Sequence, residues 1–167
     1  MTAAVVGIDP SIAASGIAWP DGTTETVRGA SKDGDKRLVK LRDTLSEGLR
    51  AHGWPIVLQI AVIEDLPKQA MGAGLTGRAQ GVVREVLTRF AVPYVTVVPS
   101  TLKKLYTGSG RADKTAMGVA WRGHHPNAPM VDDNQVDAAA LRWVGLEKLR
   151  LGEGYAPMVD WGPWGLS

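Results

Sequence analysis

In Val5-Val6-Gly7-Ile8-Asp9-Pro10-Ser11, continued by Ala14-Ser15-Gly16-Ile17-Ala18-Trp19, an apolar run climbs to one acid and turns at Pro and Ser. It then returns through Gly16 as a second apolar run. That pattern is a two-stranded hairpin with Asp9 closing its first strand. An acid so placed is held by rigid backbone and can face a cleft. Three other carboxylates, Glu64, Asp133 and Asp137, are candidates to meet it there.

Downstream of the hairpin, Asp21-Gly22 is a second turn and Thr23 to Val27 reads as a third strand, so the sheet opens as an antiparallel meander. Residues 29–34 read as loop. From Asp35 the period changes: Leu38, Leu41, Leu45 and Leu49 line one face of an amphipathic helix, which Gly53 and Pro55 end. Ile56 to Ile63 is an almost unbroken apolar run that stops at Glu64, the pattern of a central strand covered on both faces. Glu64 thereby repeats the placement of Asp9. Residues 67–74 read as loop. Leu75 to Phe90 reads as a helix with Ala79, Val82, Val83, Val86 and Leu87 on its apolar side. Gly77 and Gly81 each cost that helix ~1 kcal/mol against Ala. Their spacing lets another backbone come close, from the sheet or from a second subunit.

Tyr94 to Val98 is the last strand expected. Pro99-Ser100-Thr101 opens a short helix that Ser or Thr can cap. Gly108-Ser109-Gly110-Arg111-Ala112-Asp113-Lys114 is a glycine loop with basic residues, and Asp113 can cap a helix running to about Trp121. Residues 122–131 read as irregular and 132–149 as a final helix. There is no repeat and no linker. One domain is expected over 1–150, with a tail at 151–167 containing Trp161 and Trp164.

With 167 residues, 44% hydrophobic and 22% charged, the chain can bury the core of one globular domain. The absence of Cys removes disulfides and thiolate metal sites. With only three His, a metal site here is mostly oxygen, which favours Mg²⁺ or Mn²⁺ over Zn²⁺. No apolar run reaches the ~18 residues of a membrane helix and no signal-like leader stands at the start. A soluble, cytoplasmic protein is therefore expected. The net charge is only +2, but gathering several acids at one site leaves the rest of the surface more basic.

Acids on separate elements suit metal-assisted phosphodiester cleavage, in which two ions stand roughly 3.5–4 Å apart. Asp133 and Asp137, four apart, share a helix face. The alternative for the first is structural: Asp132 or Asp133 simply caps the last helix. Arg78, Arg84 and Arg89 on one helix can track phosphates, His124 and His125 can assist, and Trp161 and Trp164 can stack on bases. Each also has an ordinary surface or packing role.

The chain resembles the RuvC family of Holliday junction resolvases within the RNase H-like nucleases. Gly7-Ile8-Asp9-Pro10-Ser11 with Ser15-Gly16 is similar to the family's opening motif, and Val62-Ile63-Glu64 to its second acidic strand. Gly77-Arg78-Ala79-Gln80-Gly81-Val82 resembles its interface helix, residues 108–114 its basic loop, and Val136-Asp137-Ala138-Ala139-Ala140-Leu141 its closing acidic helix. The matches run in family order over about residues 5–145. The resemblance implies an α/β RNase H-like fold with a mixed five-stranded sheet flanked by helices. It also implies a homodimer and Mg²⁺-dependent (or Mn²⁺-dependent) nicking of four-way DNA junctions, with two ions. Asp9, Glu64 and Asp137, together with Asp133, become the metal-binding and catalytic acids. By matching position, Lys103 and Lys114 become lysines that contact DNA near the scissile phosphate, Lys114 with a catalytic part; Lys104, Arg111 and Arg78 are further candidate DNA contacts.

Two departures stand out. The family's fourth ligand falls three residues before the last acid, where this chain has Asn134, with Asp133 one step earlier. Either Asp133 reaches the site or Asn134 supplies a weaker amide. The family's aromatic wedge after the second acid is replaced by Leu66, Pro67 or Met71, which points to wider action on forks and flaps. Two rivals remain. One is a non-catalytic DNA-binding member of the fold. The other is an actin-like ATPase fragment, whose first phosphate loop Gly7-Ile8-Asp9 also resembles; the chain is short for that and lacks a second phosphate loop.

Overall fold

The computed structural model describes residues 4–56, 59–66 and 73–152. Strand β1 (Ala4–Asp9) pairs antiparallel with β2 (Ala14–Ala18), which pairs antiparallel with β3 (Thr24–Arg28). A single 3-10 turn at Ser31–Asp33 leads into helix α1 (Lys36–Ala51). Strand β4 (Gln59–Glu64) returns parallel to β1 on its other side, with Ile8 opposite Ile63. Helix α2 (Ala73–Arg89) leads to β5 (Tyr94–Val97), parallel to β4. Helices α3 (Pro99–Thr107), α4 (Lys114–His124) and α5 (Asp133–Gly152) complete the described chain. The mixed five-stranded sheet has the order β3-β2-β1-β4-β5, and the expected α/β architecture with its opening meander stands.

Strand alternation distributes the core between two helix layers. Val6, Ile8, Ala61 and Ile63 pack with Leu41, Leu45 and Leu49 of α1 and Val83, Val86 and Leu87 of α2. The alternate residues Val5 and Val62 pack with Leu102 and Tyr106 of α3, Met117 and Trp121 of α4, and Leu141 and Val144 of α5. Asp9 shares the parity of Val5, and Glu64 that of Val62. Both acids therefore belong to the face covered by α5.

Two glycines set how close α5 comes. A Cβ on Gly7 would collide with the carbonyl oxygen of Ala138, and one on Gly16 with that of Asn134. The start of α5 is tied to β3. Thr26 donates its hydroxyl to Asp132 at 2.7 Å, Arg28 pairs with Asp132 at 2.8 Å, and Thr24 bonds Gln135 at 2.6 Å. Asp132 also accepts from the Gln135 N–H at 3.0 Å, which makes it the cap of α5.

Several boundaries differ from expectation. The apolar run from Ile56 does not begin a strand there: Ile56 is 92% exposed and its N–H bonds the Gly53 carbonyl in a turn. The strand starts at Gln59. Neither Ser100 nor Thr101 caps α3. Val98 is its cap residue and makes no side-chain bond, while Pro99 opens the helix, where a missing N–H costs nothing. Asp113 does cap α4, accepting from Ala116 N–H at 2.8 Å. Helix α4 runs on to His124 and α5 to Gly152, each about three residues past its expected end. Trp161, Trp164, Pro67 and Met71 lie outside the described residues. No described helix is long and apolar enough to cross a membrane.

Candidate active site

The register that puts Ile8 opposite Ile63 carries on to set Asp9 beside Glu64 at the ends of the two central parallel strands. Asp137 comes down on them from α5, at the point where Gly7 and Gly16 admit that helix. Two local devices hold the strand ends. The buried Ser15 hydroxyl donates to the Ser11 carbonyl at 2.7 Å and accepts the Ser11 N–H at 2.9 Å, locking the turn that leaves Asp9. The buried Gln80 amide of α2 donates to the Glu64 carbonyl at 3.1 Å.

The three acids feel one another. Burial first, then the Asp137 charge, pushes the Asp9 carboxyl up to about 7. Burial, then Asp9 and Asp137, raises Glu64 to about 8, against the pull of Lys103. Burial raises Asp137 to about 6, with Asp133 adding to the rise and Lys103 and Lys114 opposing it. The site thus resists holding its full negative charge and favours the arrival of positive charge.

Glu64, Asp133 and Asp137 line one cleft with Lys103 and Lys114. Lys103 is half-buried in its wall. Lys114 reaches across the mouth to Asp133, Nζ to Oδ2 at 2.8 Å, with side chains 82% and 55% exposed. Asp133 therefore stands at the rim as a lysine partner, while Asn134 is half-buried beside β2. Asp132 is committed to the cap and to β3. The other candidate contacts are dispersed. Lys104 is exposed outside the cleft wall, and Arg111 lines a neighbouring groove with Tyr106 and Ser109. Arg78 is on α2, in the opposite layer, and approaches Asp35 at 3.8 Å. Leu66, the one described wedge candidate, is half-buried, its methyl 3.7 Å from where a Cβ on Gly77 would stand.

Among the described residues, no group of three or more His, Cys, Asp or Glu side chains is gathered closely enough to cage a metal ion. The donor set nevertheless fits a hard divalent cation: carboxylate oxygens, no competing His, and three acids raised by burial and mutual repulsion. Sequence reading passed over Ser15 and Gln80 as positioning residues. The only trace of Gln80 is a polar side chain interrupting an apolar helix face.

No family model matches the chain. A crossover junction endodeoxyribonuclease, RuvC of Cutibacterium acnes, is 28% identical over 148 residues, covering 82% of this chain and 74% of that protein. The structure of Thermus thermophilus RuvC matches with a TM-score of 0.73 at 21% identity, covering 89% of this chain and 96% of that one. T. thermophilus RuvC in complex with a Holliday junction substrate matches with a TM-score of 0.72 at 20% identity and the same coverage. With a mixed sheet of this order and sequence similarity along most of its length, the chain is RuvC-like and has the RNase H-like fold.

Proposed function

We propose that the protein is a metal-dependent endonuclease that cuts branched DNA, four-way junctions first, by phosphodiester hydrolysis. The observation that carries this reading is the convergence of Asp9, Glu64 and Asp137, each with its pKa raised, with Glu64 and Asp137 lining one cleft beside Lys103 and Lys114. The C. acnes relative is named for crossover-junction cleavage and a T. thermophilus relative binds a Holliday junction. Both agree with a DNA substrate, and a cytoplasmic location goes with that reading.

Asp9, Glu64 and Asp137 would hold Mg²⁺ or Mn²⁺, one ion or a pair. Bound there, the ion supplies Lewis-acid stabilisation of charge at the scissile phosphate and a more acidic attacking water. The chain's own groups do the rest. Rigid strand ends fix Asp9 and Glu64. The Gly7 and Gly16 contacts fix Asp137 over them. Lys103, in the cleft wall, offsets the added charge of a phosphate. Lys114 is free to swing from Asp133 to a phosphate oxygen, because both partners are exposed to water, where such pairs are easily exchanged. Asp133 then serves as the resting partner of Lys114, with a direct part in ion binding as the alternative.

Two further parts belong to this reading. No aromatic residue follows Glu64 before α2, which favours forks and flaps as additional substrates. On α2, nothing described lies within 4 Å of where a Cβ on Gly81 would stand, leaving that face open for a second copy. A homodimer supplies the two active sites that paired nicks require.

The test incubates the protein with labelled four-way junction, fork, flap and duplex DNA, in Mg²⁺ or in EDTA. Paired junction nicks only with metal are expected, with slower cutting of forks and flaps. Tight junction binding without cutting under any metal would favour the non-catalytic member of the fold instead.

A further inference from the structure

We infer that the groove between the end of β3 and the first turns of α1 is a second phosphate-backbone site, gripping the DNA arm that leaves the acidic cleft. This rests on the nuclease reading above. The groove, ≈ 450 Å³ in volume, is lined by Arg28, Lys36, Arg37 and Lys40, with Asp33 as its one acid and Ala13 in its wall.

Two of its cations are held by main-chain carbonyls, as Arg50, Arg122 and Arg142 are elsewhere, rather than by a carboxylate. Arg42, Arg89, Arg78 and Lys114 each face a carboxylate. In the groove, Lys40 Nζ donates to the Arg28 carbonyl at 2.9 Å, and Arg37 Nε to the Gly34 carbonyl at 3.0 Å. A neutral carbonyl orients a cation and leaves its charge uncancelled. Lys36 is exposed and has no side-chain partner among the described residues. Arg28 is the exception, paired with Asp132. The Asp33 carboxylate accepts the Ala30 N–H at 3.0 Å, shaping the turn. The result is a preset cationic groove, and a repeating anion is its complement.

Position identifies which anion. The turn that leaves Asp9 ends at Ala13, in the groove wall, and the Gly29 N–H bonds the Ala13 carbonyl at 3.2 Å. Four residues of chain reach at most ~14 Å. At ~3.4 Å of axial rise per nucleotide, that is about four nucleotides along one strand. The groove wall thus stands within about four nucleotides' length of the acids, which is within the span of one DNA arm. Arg28 ties the two places together through Asp132, next to Asp133 at the cleft rim.

The experiment measures binding of a labelled four-way junction in EDTA across a KCl series. The proteins are wild type, Lys36→Ala/Lys40→Ala, Lys36→Ala alone, and Arg89→Ala as a control on α2. Removing one cation from a phosphate lowers the slope of log affinity against log salt by about 0.9. The pair should lose about two units of slope and roughly 10-fold in affinity near physiological salt, Lys36→Ala about one unit, and Arg89→Ala none. Wild-type slope in Lys36→Ala, whose exposed side chain leaves folding intact, overturns the groove. So does a loss of slope matched by Arg89→Ala. If the variants' deficit disappears when inorganic phosphate replaces chloride at equal ionic strength, the groove holds free anions only, which also overturns it. Failure of the wild type itself to bind junction DNA would instead remove the nuclease reading.

Discussion

Replacing Asp9 by Asn keeps the shape of the side chain and removes its charge. In the proposed site that change removes an ion-holding oxyanion, so cleavage should fall by more than about 100-fold. Junction binding should persist through the lysines. Cutting at the wild-type rate would dismiss Asp9 as a ligand. The same charge explains a pH dependence. Asp137, Asp9 and Glu64 are raised to about 6, 7 and 8, above the ~4 of unfolded carboxylates. Each binds its proton more tightly when folded, so its stabilisation is complete below about pH 4 and is lost as pH rises through those values. In EDTA, the melting temperature should therefore fall between about pH 5 and 8. Mg²⁺ should raise it more at pH 8 than at pH 5, and Asp9→Asn should recover about 2–4 °C for each kcal/mol of repulsion relieved. A melting temperature that climbs over this range in EDTA refutes the shared charge. At the cleft rim, Lys114→Ala should weaken binding and slow cutting. Asp133→Ala should leave the Mg²⁺ concentration for half-maximal rate unchanged if its role is to hold Lys114, whereas a rightward shift would make it a ligand. Asp9, Glu64 and Asp137 are legible in the sequence because each ends or interrupts an apolar run. Ser15 and Gln80 are not, because both act on main-chain atoms of residues whose proximity only the fold creates.

Helix α5 depends on missing side chains beneath it. Its backbone lies on Gly7 and Gly16 so closely that a methyl group meets a carbonyl oxygen rather than a movable side chain. Gly16→Ala should cost about 1–3 kcal/mol in urea unfolding. It should also slow cleavage beyond what the stability loss accounts for, since Asp137 moves with the helix. An effect inside about 0.5 kcal/mol would mean that α5 yields easily. Periodicity identifies the helices and most strands well, because α1 and the central strands bury regular stripes. It misplaces the start of β4, since an apolar residue at Ile56 looks the same in a strand or in an exposed turn. It misassigns the α3 cap as well, where Pro99 makes a side-chain cap unnecessary at one N–H. The pinning of α5 to β3 through Thr26, Arg28 and Asp132 is also invisible in sequence, as it joins residues more than a hundred positions apart.

At the scale of the whole molecule, paired nicking requires a second cleft in fixed relation to the first. The face of α2 that carries Gly77 and Gly81 is the surface proposed to supply it. A helix that gives up the propensity of Ala at two positions must recover that cost in packing. Within the described chain, Gly81 meets nothing within 4 Å and Gly77 only the Leu66 methyl. Contact with a second copy would repay it, bringing two α2 helices close along their glycines. On that arrangement, wild-type protein should sediment as a dimer at micromolar concentration. Gly77→Glu/Gly81→Glu should sediment as a monomer with unchanged helical circular dichroism. The variant should still nick a junction, since no acid or lysine of the cleft has changed, but the two nicks should become independent. They would then accumulate as singly cut intermediates rather than resolved duplexes. A wild type that stays monomeric with and without junction DNA, yet resolves it in one encounter, would remove α2 as the interface. Gly81 would then lack a packing explanation.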